Sequence, residues 1–264
     1  MTFLIITILI ALLVTIGLPI LADVWMTKNL GLSWRVITLG ALAYFVVQAL
    51  MTFVFSGLFA LVENGTLDLA DQSFFFVQLA MSIMFTALLG VLIPWGGMKY
   101  SKQPLTNLEA AYGIGLGYVG NESIVRVGIP LLVTFITMLS NINIDTGAAT
   151  LEPGMLEQLE ALWQVSPWVP LMGSLERIAA LVMHLTVTIL VLQFFTRKGF
   201  LWLAAAFGLE ALVNGMIVGL AEAGLAYGWV ILVAMGLMVS NLYLLYRLKA
   251  FEFDITKAGG EGAA

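Results

Sequence analysis

The chain has no cysteine, a single histidine and few charges, and each scarcity removes a class of chemistry. Without cysteine there are no disulfides, thiolate metal sites or cysteine nucleophiles, and a helical membrane bundle needs none of them to hold together. The one histidine, His184, limits any metal site to one imidazole donor. Charged residues make up 10% of the 264 positions and the formal net charge is -5, so the basic footprint of a nucleic-acid binder is missing. Stretches of alternating polarity, about ten residues each in a closed membrane barrel, are absent as well.

What fills the chain instead is apolar. Hydrophobic residues account for 61% of it and the mean hydropathy is +1.02, against an apolar share of about 45–50% in soluble domains. This is the composition of an all-α integral membrane protein, because within lipid a helix satisfies its own backbone polar groups. A crossing takes roughly 20 mostly apolar residues, and about seven transmembrane helices are expected, near Thr2–Val24, Arg35–Leu61, Ser73–Met98, Leu105–Ser140, Trp168–Phe195, Phe200–Ala221 and Trp229–Leu248. The first is read as a span and not as a cleaved leader, since Met1–Trp25 lacks a basic start and its apolar run exceeds the roughly 7–15 residues of a leader core. Residues 1–253 form one polytopic helical domain, and 254–264, rich in glycine and alanine, reads as a disordered tail.

Basic residues are retained on the cytoplasmic side of a membrane, and here they alternate cleanly. Lys28 and Arg35, Lys99 and Lys102, Arg197 and Lys198, and Arg247, Lys249 and Lys257 mark alternate connections and the C-terminal tail. The intervening connections carry only acids: Glu63, Asp68 and Asp71, then Asp145, Glu152, Glu157 and Glu160, then Glu222. The N-terminus is therefore expected outside and the C-terminus in the cytoplasm. Trp25, Trp34, Trp163, Trp168 and Trp229 near span ends suit interfacial belts.

The fourth segment is too long for one straight crossing, since its 36 residues would extend about 54 Å against a core of about 30 Å. Thr106-x-x-Glu109 reads as a capping box at its start. Pro130 removes the bond back to Arg126 and predicts a kink there. Between the fourth and fifth segments, Leu156, Leu159, Leu162 and Trp163 recur at helical spacing, which suits a short interfacial helix over about 152–165, either an anchor or a lid. No internal repeat of the inverted-transporter kind stands out.

Only Arg126 and Arg177 among the cations lie inside apolar segments, and they share them with Glu122, Glu176, His184, Glu210, Tyr118, Asn121 and Asn214. Buried ionisable groups are costly in a membrane and face other protein groups. Counted from the cytoplasmic ends, Glu122, His184 and Glu210 fall at one level; Arg126, Arg177, Glu176 and Asn214 fall in a layer further out. Glu122 and Arg126 are i, i+4 neighbours, as are Glu210 and Asn214. The arginines read as structural ion pairs with Glu122 and Glu176, while the Glu122, His184, Glu210 layer is open to a structural or a functional role. Gly113, Gly115, Gly117 and Gly120 allow close approach of a neighbouring helix.

At Gly115-Leu-Gly-Tyr-Val-Gly-Asn-Glu122, followed by Glu176-Arg177 and His184, the chain resembles the YhfC-type family of intramembrane metallopeptidases, distantly like the CAAX-processing proteases. Glu122, Glu176, Arg177 and His184 match that family's pattern. Tyr118 stands where a histidine is expected, Glu210 stands about where another is, and Trp95-Gly-Gly-Met-Lys-Tyr100 replaces a Glu-Glu-x-x-Arg element. The resemblance implies a divalent metal, with His184, Glu176 and Glu210 as the available ligands and Glu122 as general base. Such an oxygen-rich set suits manganese or magnesium better than zinc.

The departures favour a peptidase fold that binds a membrane segment or partner subunit without cutting it, and no cofactor is then expected. The alternatives are an active intramembrane metallopeptidase using those Glu and His ligands, and a small proton-coupled transporter or associated subunit relaying protons through Glu122, His184 and Glu210. On every reading the partners are membrane lipids and a membrane protein, not nucleic acid, and the location is the inner membrane of a prokaryote.

Overall fold

The computed structural model describes residues 2–67, 71–100, 107–140 and 161–251, with no side-chain description at 71 and 72. Thr106, the 254–264 tail and all but the end of the expected 152–165 helix lie outside them; 161–164 are helical. Among the described residues seven helices are long and apolar enough to cross a membrane: α1 Thr2–Leu30, α2 Trp34–Glu63, α3 Asp71–Tyr100, α4 Leu108–Ser140, α5 Trp168–Arg197, α6 Leu201–Glu222 and α7 Tyr227–Arg247. There is no strand among the described residues.

Local chemistry fixes the ends. Gly31 closes α1 in the left-handed conformation at φ 68°, and the Ser33 hydroxyl caps α2 by accepting from the Arg35 N–H. The start of α4 corrects the expected capping box: Asn107 is the cap, its side chain accepting from the Ala110 N–H at 3.0 Å. Glu109 lies in the first turn, where a carboxylate faces the positive end of the helix.

Large apolar side chains cover the outside, with Leu13, Phe53, Leu201 and Leu232 each at least 60% exposed, as lipid-facing positions require. The interior is organised on two half-helices buried on every face, Ala110–Gly120 of α4 and Val182–Gln193 of α5. A main apolar cluster joins them to Leu32, Val36, Val91, Met98, Ala206 and Leu245 in the half of the bundle where α4 begins and α5 ends. The glycines of α4 serve three neighbours instead of one. A Cβ on Gly117 would overlap the Ile37 carbonyl of α2, and a Cβ on Gly40 would overlap the Ile114 carbonyl; Gly115 abuts Thr188 of α5 and Gly120 abuts Pro19 of α1.

Pro130 is accommodated by a π-turn over Ser123–Gly128 just before it, and α1 carries a matching π-turn over Leu13–Gly17 just before Pro19. The two turns pack together. The carbonyl that Pro19 cannot donate to is that of Thr15, and the Ser123 hydroxyl donates to it at 2.9 Å.

Candidate functional site

Glu122 ends the first α-helical part of α4, His184 lies near the start of the fully wrapped part of α5, and Glu210 lies mid-way along α6. Their packing brings the three together. His184 Nε2 lies 3.3 Å from Glu122 Oε2 and His184 Nδ1 lies 3.9 Å from Glu210 Oε1, so the imidazole stands between two carboxylates. The Tyr118 ring lies 5.0 Å from the imidazole and 5.8 Å from that of Tyr44.

An ion-pair collar borders this layer. Arg177 Nη2 donates to Glu176 Oε1 at 2.7 Å, its Nη1 donates to Glu122 Oε1 at 3.4 Å, and the Tyr227 hydroxyl donates to Glu176 Oε2 at 2.9 Å. Arg126 approaches Glu122 at 3.5 Å, with its side chain 67% exposed. Glu210 is fully buried; Asn214 donates to its Oε1 at 3.3 Å, while Oε2 has no hydrogen-bond partner among the described residues. Gly90 of α3 makes room for this carboxylate, since a Cβ there would lie 3.3 Å from it.

Two cavities meet at these residues, sharing Glu122, Arg126, His184 and Asn214. One, of about 380 Å³, runs between α5, α6 and α7 past Met183, Ile217, Leu237 and Met238 and takes in Glu176, Arg177 and Tyr227. The other, of about 560 Å³, runs between α2 and α3 and is walled by Tyr44, Gln48, Thr52 and Ser56 of α2 with Ser82 and Thr86 of α3. These wall residues are absent from the sequence-derived set. Their signal was the i, i+4 ladder Tyr44, Gln48, Thr52, Ser56, uncharged but polar along one face of an apolar helix.

Two expected members sit elsewhere. The Asn121 side chain donates to the Ala41 carbonyl at 3.4 Å and tethers α4 to α2, outside both cavities. Glu176 is eight residues from His184, about 12 Å along the axis at 1.5 Å per residue, and its carboxylate is hydrogen-bonded to Arg177 and Tyr227 instead of the imidazole. A catalytic divalent ion takes three protein donors and keeps one position open. Here the two imidazole nitrogens face different carboxylates on opposite edges of the ring, so an ion beside either nitrogen shares it with one carboxylate. Among the described residues no group of three or more His, Cys, Asp or Glu side chains converges. The residues present do not fit a three-donor metal centre.

A bundle of seven apolar helices with a polar centre enclosed by α4, α5 and α6 defines the class, a multi-pass helical membrane protein. The chain belongs to the YhfC intramembrane metalloprotease family, whose model matches residues 11–235. No match was found among curated proteins or among solved structures.

Proposed function

We propose that this chain is a non-catalytic member of its family, which uses the bundle to hold a membrane segment or a partner subunit without cleaving it. The observation that carries the reading is the placing of the carboxylates about His184, Glu122 at 3.3 Å from Nε2 and Glu210 at 3.9 Å from Nδ1 on the opposite edge of the ring, so that no three-donor set converges among the described residues. The cavity between α5, α6 and α7 sets apolar walls of Met183, Ile217, Leu237 and Met238 beside polar groups that include Glu176, Tyr227, Asn214 and Asn241, which suits a membrane segment that itself carries polar residues. The basic residues Lys28, Lys99, Arg197 and Arg247 occupy the last turns of α1, α3, α5 and α7, which supports an N-terminus outside and a C-terminus in the cytoplasm of a prokaryotic inner membrane.

The test is elemental analysis of the purified chain and of His184→Ala, paired with a cleavage assay on membrane-segment substrates. Neither protein is expected to retain a stoichiometric divalent ion, and neither should cleave. One ion per chain lost in the variant, together with cleavage that the variant lacks, would replace this reading with the active peptidase.

A second reading, a proton-coupled subunit, is supported by the same Glu122, His184, Glu210 row, which spans the junction of two cavities. Flux in reconstituted vesicles that survives Glu210→Gln would remove it.

A further inference from the structure

We propose that the chamber between α2 and α3 binds a small zwitterionic molecule, with its ammonium group on Glu210 and its acidic group on Arg126. This goes beyond the capture of a membrane segment: Arg126 borders both cavities, but Glu210 and the polar wall line only this chamber.

The first argument is charge. Glu122 is already held by Arg177 and His184 without Arg126, and Glu176 is held by Arg177 and Tyr227. Two groups are left over in the chamber. Arg126 has one long contact and an exposed side chain, and Glu210 has its nearest ionisable partner, His184, at 3.9 Å. One is a spare cation and the other a spare anion, and both line the chamber.

The second argument is the orphaned oxygen. Glu210 is 0% exposed, yet its Oε2 has no partner among the described residues. An ionised carboxylate there requires a donor and a protonated one an acceptor, and the described residues supply neither, so a turn of the Glu210 side chain toward the chamber it lines is needed to bring that oxygen to an occupant. Buried polar groups without partners cost enough that a native structure fills them.

The third argument is the wall. At about 560 Å³ the chamber falls within the range of small-molecule sites, roughly 300–1,000 Å³, and it is far larger than a bare ion needs. Tyr44, Gln48, Thr52, Ser56, Ser82 and Thr86 offer hydroxyl and amide groups along its length, which suit a polar ligand and would be wasted on an acyl chain. The ladder passes from buried Tyr44 through half-buried Gln48 to exposed Thr52 and Ser56, so the chamber opens toward the end of α2 that carries Glu63. Tyr118 and Tyr44 stand edge to face at the deep end, where aromatic faces favour an ammonium group.

The experiment is equilibrium dialysis of the full chain in lipid nanodiscs against 4-aminobutyrate, 6-aminohexanoate and phosphoethanolamine as zwitterionic probes, with butylammonium and butyrate as single-charge controls. At least one zwitterion is expected to bind saturably and about tenfold or more tightly than either control, as loss of one charged hydrogen bond implies. Glu210→Gln should weaken that zwitterion and butylammonium but not butyrate, and Arg126→Gln should weaken the zwitterion and butyrate. Arg126 is exposed, so its variant reads the site even where Glu210→Gln fails to fold. No saturable zwitterion binding, or binding equal in the parent and Arg126→Gln, would overturn the proposal.

Discussion

At the scale of single residues, the organising object is the Arg177 guanidinium. It binds Glu176 and Glu122 at once, with its side chain 13% exposed. Removing one partner of a buried pair leaves an uncompensated charge, at a cost of about 3–5 kcal/mol. Arg177→Met should therefore lower stability by that order in denaturant titrations of the detergent-solubilised protein. Adding Glu176→Gln to it should recover part of the loss, because one stranded carboxylate is then gone. The pairing of Glu122 with Arg126 and the common level of Glu122, His184 and Glu210 were legible from i, i+4 spacing and depth. That Glu176 would face Tyr227, 51 residues away on α7, was not, since no local spacing encodes a contact between α5 and α7. Asn121 was misplaced for a similar reason: its polarity marked it as a site residue, while the structure spends it on the Ala41 carbonyl.

At the scale of elements, the bundle depends on backbones in near contact. Gly117 and Gly40 form a reciprocal crossing of α4 and α2 in which each occupies the space beside the other helix's carbonyls. Neither backbone can give way as a side chain would, so Gly117→Ala and Gly40→Ala should each destabilise by about 1–3 kcal/mol, the scale of overpacking. Gly208→Ala on α6 meets nothing within 4 Å and should be neutral or slightly stabilising, which makes it the matched control. Ser123→Ala should cost about 1 kcal/mol, the worth of one hydrogen bond, by stranding the Thr15 carbonyl beside Pro19. The small-residue run and Pro130 were visible in the sequence. The paired π-turns were not, because the shift of about 100° that an extra residue imposes disturbs no visible pattern in spans that are apolar on nearly every face.

At the scale of the whole molecule, the positions of the crossings followed from length and hydropathy, and the described helices match them to within three residues except at the end of the first, which runs six residues past Val24 to Leu30. The chain lacks cysteine, so single cysteines can report on sidedness without background. Lys28→Cys and Arg247→Cys should be shielded from an impermeant thiol reagent in intact cells, and Glu63→Cys and Glu222→Cys should be labelled; the reverse pattern would invert the orientation. The polar wall of the α2–α3 chamber was the largest feature missed. Each of its residues is an ordinary tyrosine, serine, threonine or glutamine in isolation, and the wall exists only once two helices set their polar faces side by side.

The burial of α5 on all sides over Val182–Gln193 bears on how the protein is made. A nascent α5 offers lipid Glu176, Arg177 and His184, and each charge at the centre of a span opposes insertion by about 2.5–3.5 kcal/mol. α4, synthesised earlier, already presents Glu122 to Arg177 and His184, whereas Glu210 arrives afterwards with α6. The order of translation therefore predicts that the polar centre assembles from α4 onward, with Glu122 easing the entry of α5. Glu122→Leu should reduce membrane integration of a product truncated after α5, while Glu210→Leu in the full chain should leave that step untouched.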